Sequence, residues 1–417
     1  MKSLAIYIHV PFCIRKCYYC DFLSFPEMGN EMQRRYFQVL LKEIDEACAA
    51  LPKQSAGVYE VSSVYFGGGT PSYPDEKLIE NVINHIHDHF QVRMDAEITL
   101  EINPGTVTYD KLKAYKSMGV NRLSIGAQSM MNMDLEHLGR AHNVAQFYEA
   151  YRNARTAGFR NISVDIMMGL PGQTTQDYLN TLREVAECKP EHISSYSLTI
   201  EEGTPYYEIY GTGKTPRIDN TIGLSRLPLP DDEEERKMYE ATNHYLINAG
   251  YHRYEISNFA RNDESRPRRY ESRHNIVYWT RGDYLGFGLG ASSMINNTRF
   301  SNTRDLNDYI ESDGRVTKLR ENISRLDINA QIEEFMFLGL RMTRGVSNTR
   351  FEANFGVPMR EVYGDVIDAL EAAGLVVTKE DALCLTPRGV DVSNQVLAYF
   401  LMDLPEEGEQ TEKAAEA

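Results

Sequence analysis

Tyr7-Ile8-His9-Val10-Pro11-Phe12-Cys13-Ile14-Arg15-Lys16-Cys17-Tyr18-Tyr19-Cys20-Asp21-Phe22 joins an apolar β-type run to a loop with the spacing C-x3-C-x2-C. Iron–sulfur clusters ordinarily take four thiolates. Cys13, Cys17 and Cys20 would therefore leave one iron of a [4Fe–4S] cluster open, free to bind a substrate or cofactor. A structural zinc site would also want a fourth protein ligand. For zinc, His9 or a distant residue would have to serve. The triplet by itself leaves both readings open.

The remaining cysteines, Cys48, Cys188 and Cys384, are scattered. Three clustered and three scattered thiols fit a reducing compartment better than a disulfide framework, so a cytoplasmic location is expected. At 417 residues the chain can build one large domain and a smaller one. No apolar run is long enough for a transmembrane helix, and the N-terminal run does not read as a signal peptide. The net charge of −16 argues against general nucleic-acid binding.

From residue 4 to about residue 200, short β-type runs alternate with amphipathic stretches. The expected strands are 4–10, 62–66, 97–102, 122–125, 162–168 and 193–198. The helical patterns are 31–51, 75–90, 109–118, 144–157 and 174–188. Six β units joined by helices imply a parallel sheet. A closed eight-stranded barrel needs two more. The expected fold is thus α/β, an open partial (βα)6 TIM-type barrel over residues 1–210. Functional loops belong at the C-terminal ends of its strands, where the Cys loop already sits.

Residues 211–325 read as a connector and cover region, with a Gly/Thr/Pro-rich loop at 211–230 and mostly irregular structure over 250–317. Residues 326–403 suggest a mostly helical, winged-helix-like module with a β pair at 375–377 and 382–385. It lacks an obvious basic recognition helix. The acidic tail, 404–417, reads as disordered.

Several polar residues fall at strand ends. Gly68, Gly69 and Thr70 lie in Gly67-Gly68-Gly69-Thr70-Pro71, where glycines let backbone approach a ligand. Glu101, Gln128, Arg140 and Asp165 follow on later units. Carboxylates can accept ribose hydroxyls, and a guanidinium can hold a carboxylate. Asp165 interrupts an apolar strand, which is costly unless it is hydrogen-bonded or serves a site.

Read together, Tyr-x-His-x-Pro-Phe-Cys-x3-Cys-x-Tyr-Cys, Gly-Gly-Gly-Thr-Pro, Glu-x-Asn-Pro, Gly-x-Gln-Ser, Leu-Gly-Arg-x-His and Gly-Leu-Pro-Gly-Gln-Thr occur in this order. The set resembles the coproporphyrinogen-oxidase-like branch of radical S-adenosylmethionine (SAM) proteins, from about residue 4 to residue 402. The resemblance implies a [4Fe–4S] cluster on Cys13, Cys17 and Cys20. Its open iron would chelate SAM, which an electron from the cluster cleaves to a deoxyadenosyl radical. It also implies that Tyr7, Tyr19, Gly68, Gly69, Thr70, Glu101, Gln128, Arg140 and Asp165 contact SAM.

Two groups in that branch differ in function. The oxygen-independent coproporphyrinogen III dehydrogenase oxidatively decarboxylates propionates. It carries a fourth Cys two residues after the third, and an N-terminal extension. This chain has Phe22 at that position and begins three residues before the first expected strand. Both departures match instead the HemW-type haem chaperones, which bind haem and deliver it. His274-Asn275-Ile276-Val277-Tyr278-Trp279 matches the H-N-x-x-Y-W motif of that group. Imidazole is a common axial haem ligand, so His274 is the expected haem-binding residue. Alternatively, His274 hydrogen-bonds locally while Tyr278 and Trp279 pack as core. Five Arg over 261–273 could pair with haem propionates or form a solvated loop. The implied task is to hold haem and pass it to haem-requiring proteins, including respiratory enzymes at the membrane surface. The alternative is the dehydrogenase itself.

Overall fold

The computed structural model describes residues 1–50, 59–217 and 227–402. The expected disordered tail and the middle of the 211–230 connector lie outside these residues. The chain forms two compact units. The first comprises Met1–Arg253, Ser257–Val277 and Gly282–Ser324; the second comprises Tyr254–Ile256, Tyr278–Arg281 and the chain from Arg325 onward.

Six strands form the centre of the first unit: β1 (Lys2–Val10), β2 (Tyr59–Gly68), β3 (Val92–Ile102), β4 (Arg122–Gln128), β5 (Ile162–Met168) and β6 (His192–Ser197). Neighbours pair in parallel in that order. Register aligns their apolar residues: Ile6 faces Val64, Val64 faces Ile98, Ile125 faces Val164 and Val164 faces Ile193. These side chains are almost wholly buried, as expected for strands covered by helices. Each such burial contributes roughly 1.5–3 kcal/mol.

The helices between the strands start where capping chemistry dictates. The Asp75 side chain accepts from Lys77 N, and the Thr108 side chain accepts from Lys111 N. Asn143 with Gln146, and Thr174 with Asp177, form reciprocal capping boxes.

The sheet does not stop at six strands. Among the described residues it has twelve in open order. Asp283–Phe287 adds in parallel to the outer edge of β1, and Ser292–Ile295 and Thr298–Asn302 continue antiparallel. At the opposite edge Asn258–Arg261 runs antiparallel to β6, with Tyr251–Arg253 beyond it. This corrects the reading of 250–317 as mostly irregular. The added strands, which end with Arg320–Arg325, are only three to six residues long and mix polar groups and glycine. They have little β propensity of their own, and pairing with an existing edge supplies what the sequence lacks.

The second unit runs helix Ile328–Gly339, strand Val346–Ser347, helices Asn348–Phe355 and Met359–Ala372, then strands Val376–Lys379 and Ala382–Leu385. That is the winged-helix order. Its core includes Met336, Phe351, Val396 and Phe400, all fully buried.

Candidate functional site

A cavity of about 570 Å³ opens over the C-terminal ends of the barrel strands. This size suits a small-molecule ligand. Cys13, Cys17 and Cys20 line it and are free thiols. So do Tyr19, Gly68, Gly69, Thr70, Glu101, Gln128, Arg140 and Asp165. Eleven of the thirteen expected site residues therefore share one pocket; Tyr7 and His274 do not line it.

Backbone pairing locks the Cys loop to the glycine loop. Gly69 N donates to Val10 O at 2.9 Å, and Thr70 N donates to Phe12 O at 2.8 Å. A Cβ on Gly69 would lie 2.9 Å from Phe12 N and O, so no larger residue fits. Gly68 has φ +107°, and a Cβ there would strike the His9 ring at 2.4 Å. The Thr70 hydroxyl reaches Cys13 Sγ at 3.5 Å.

His9 is not offered as a metal ligand. Its Nε2 lies 2.8 Å from the Leu23 carbonyl, which can only accept, so Nε2 carries the proton. Its Nδ1 then accepts from the Tyr7 hydroxyl at 3.1 Å. Tyr7 thus orients His9 beneath the glycine loop. With both ring nitrogens engaged, the zinc reading loses its nearest fourth ligand.

Arg140 spans the pocket wall. Its Nη2 donates to Gly126 O at 2.8 Å, and its Nη1 reaches Cys17 Sγ at 3.6 Å. Its buried Nε finds no partner among the described residues. Burial opposes the Arg140 charge, but Cys17 and Tyr19 beside it drive its pKa above the usual range. Burial pushes the Cys20 thiol up to about 11, with Cys17 adding to the effect, and burial also raises Cys13. Such thiols become stable thiolates when a metal supplies the opposing charge.

Two carboxylates line the same pocket. Glu101 Oε1 accepts from the Tyr65 hydroxyl at 2.7 Å. Burial above all, against the pull of the Tyr65 hydrogen bond and with help from nearby Asp165, raises its pKa to about 7. Asp165 accepts from Ser124 Oγ at 2.9 Å and from Ser163 Oγ at 3.1 Å. The polar interruption of β5 is therefore hydrogen-bonded, and it also faces the pocket. Gln128 takes φ +66°, a left-handed conformation uncommon outside glycine. Strain of this kind tends to be kept where a side chain must be aimed.

His274 is 1% exposed. Its Nδ1 lies 3.1 Å from Ser63 Oγ, and its ring stacks on Tyr65 with centroids 5.0 Å apart. Burial lowers its pKa to about 3, so the ring is neutral. This placement speaks against the axial-ligand expectation drawn from its motif. The next residue, Asn275, lines the pocket instead. Arg122 also escaped the sequence reading. It is 2% exposed and lines the pocket. Nothing in the chain marks it, since an arginine that opens a strand is ordinary.

The three free thiols, the unpartnered Arg140 Nε and the backbone cradle at Gly69 fit an iron–sulfur cluster carrying a ligand with a carboxylate. A family model for the radical SAM superfamily matches residues 7–185, and one for the HemN C-terminal domain matches residues 326–392. The haem chaperone HemW of Bacillus subtilis is 35% identical over 97% of this chain and 100% of its own length. The chain belongs to the HemW family of radical SAM proteins. HemW of Escherichia coli is 32% identical over 97% of the chain and 99% of its own length. The fold of this chain also matches the solved coproporphyrinogen III oxidase (HemN) of Escherichia coli, with a TM-score of 0.80 and 23% identity. That match covers 97% of this chain and 91% of the oxidase, and it establishes the fold alone. Membership of the superfamily implies SAM and a [4Fe–4S] cluster as cofactors. No helix among the described residues is long and apolar enough to cross a membrane.

Proposed function

We propose that this protein is a haem chaperone of the cytoplasm, binding haem and transferring it to haem-requiring proteins. The observation that carries the reading is full-length similarity to relatives named haem chaperone, 35% and 32% identical. Phe22 supports it: the dehydrogenase has a fourth Cys there, whereas Phe22 is 63% exposed at the pocket lining. Six free thiols suit a reducing compartment. Acceptors include respiratory enzymes reached at the membrane surface.

Cys13, Cys17 and Cys20 would hold a [4Fe–4S] cluster, which supplies one-electron chemistry and an open iron for SAM. Around it, each protein group has a distinct task. Arg140 Nε, buried and unpartnered, would take an oxygen of the SAM carboxylate. Glu101 and Asp165, in the same pocket, would accept the ribose hydroxyls. Gly68 and Gly69 would offer backbone groups to the methionine amino end. Tyr19 and Gln128 complete the enclosure.

The deciding experiment assays anaerobically reconstituted protein side by side for haem binding, haem transfer to an acceptor apoprotein, and coproporphyrinogen III turnover. A stable haem complex that passes haem on, with no vinyl product, is expected. Vinyl product above the no-enzyme background, without a haem complex, would assign the chain to the dehydrogenase reaction instead.

A further inference from the structure

Outside the barrel pocket, two neighbouring helices bring three donor groups together. Asp45 lies on helix Asn30–Ala50, which follows β1. His85 and His89 lie on helix Glu76–His89, which follows β2. Residues four apart on a helix share a face, so both imidazoles turn the same way. They converge on a single carboxylate oxygen. His85 Nε2 lies 2.7 Å from Asp45 Oδ1, and His89 Nε2 lies 2.9 Å from the same atom. The two ring centroids are 4.4 Å apart.

A hydrogen bond on the far side of His89 makes this arrangement informative. His89 Nδ1 lies 3.0 Å from the His85 carbonyl oxygen. A carbonyl can only accept, so Nδ1 carries the hydrogen. In the neutral ring, Nε2 then presents a lone pair to a carboxylate oxygen 2.9 Å away. Two acceptors at that distance repel unless a positive charge lies between them. Either a second proton or a metal ion supplies it. The Nδ1–H···O=C bond is also the contact that commonly fixes the tautomer of a metal-binding histidine.

The donor atoms of Asp45, His85 and His89 all lie within 4.8 Å of one another. Their side chains are 49%, 23% and 30% exposed, so an ion can enter and keep water on its remaining positions. Two imidazole nitrogens and one carboxylate oxygen suit a borderline divalent ion, and three protein ligands plus water complete a tetrahedron. We propose that Asp45, His85 and His89 form a binding site for a divalent transition metal of the zinc class. The bound ion clamps together the helices that follow the two strands leading into the Cys and glycine loops. Cys48 lies nearby but is spent on the His89 carbonyl, which its Sγ approaches at 3.3 Å.

The test uses cluster-loaded protein freed of adventitious divalent ions and titrated anaerobically with zinc or cobalt. About one zinc per chain beyond the cluster metal is expected. The thermal unfolding midpoint should rise with zinc concentration, because an ion that binds only the native state stabilises it by mass action. The cobalt adduct should show d–d bands without thiolate charge transfer, which separates this site from any cysteine site. The His85→Ala/His89→Ala double variant and the gentler Asp45→Asn variant should lose the extra metal and the midpoint shift while retaining cluster iron. A wild-type midpoint indifferent to zinc would overturn the site and leave a second proton on His89 as the bridging charge. Equal zinc uptake by the double variant, or a cobalt spectrum with thiolate character, would overturn it as well. None of these outcomes bears on haem or SAM binding.

Discussion

The Arg140 guanidinium holds its Nη1 3.6 Å from the Cys17 sulfur, joining the wall of the pocket to the Cys loop. Through Nη2 it is also fixed to the Gly126 carbonyl at 2.8 Å. The residue therefore has two directions already set, while its buried Nε remains to take a ligand. Removing it should loosen ligand binding more than it loosens the loop. Arg140→Ala is expected to weaken SAM binding by about 2–3 kcal/mol, the range for a shielded hydrogen bond to a charged group. Asp165→Asn should cost less, since an amide oxygen still accepts one hydrogen bond. Isothermal titration of reconstituted protein measures both, and unchanged affinity in the two variants would remove these assignments.

The cluster itself makes a simpler prediction. Anaerobic reconstitution should give about four irons and four sulfides per chain. Cys13→Ala, Cys17→Ala and Cys20→Ala should each abolish it, because all three thiols line one pocket. Cys48→Ala, Cys188→Ala and Cys384→Ala should not. Iron and sulfide analysis with the visible spectrum reads the result. One tightly held zinc and no iron after reconstitution is the outcome that would defeat the cluster reading.

Glu101 gives the pocket a pH dependence. Its folded pKa stands near 7, raised chiefly by burial. The fold thus favours the protonated carboxyl more than the unfolded chain does. That contribution to stability is complete below the unfolded value of about 4.3. It is lost as pH rises through about 7. Glu101→Gln, which keeps an uncharged group beside Tyr65, should flatten this component in SAM-free protein. Thermal midpoints measured from pH 5 to pH 8 check it. The same slope in wild type and variant would show that another group is responsible.

The barrel was legible because two independent signals agreed along it. Apolar runs such as Ile162–Met168 alternate with helices opened by Asn143 and Thr174, whose side chains cap them as their identities suggest. Asp283–Phe287 was not legible, because Asp283 and Gly286 break its apolar run and its strand state depends on docking against Leu4–Ile8. The site residues that interrupt a pattern, such as Asp165, could be picked out from the chain. Arg122 could not, since an arginine at a strand start is ordinary until the barrel curls around it. His274 and Asn275 show the limit most directly. Successive residues on a helix point about 100° apart. Which of the two faces the pocket is decided by how helix Arg273–Trp279 docks, and the sequence motif carries no record of that rotation.

That rotation sets the last prediction. Besides its contacts with Ser63 and Tyr65, His274 receives the support of Glu97, whose Oε1 accepts from the His274 backbone N at 3.2 Å. His274 is buried and does not line the pocket, so an iron could reach it only by unpacking the ring. His274→Ala should therefore act on stability before it acts on haem. Loss of a buried, hydrogen-bonded ring should cost about 2–3 kcal/mol. The Soret band of the haem complex should keep its position, and the cluster should be retained, since the Cys loop belongs to a different element. Denaturant unfolding and haem difference spectra on the same preparation separate the two effects. A shifted or lost Soret band in a variant that remains folded would restore His274 as the axial ligand, and would require helix Arg273–Trp279 to turn when haem binds.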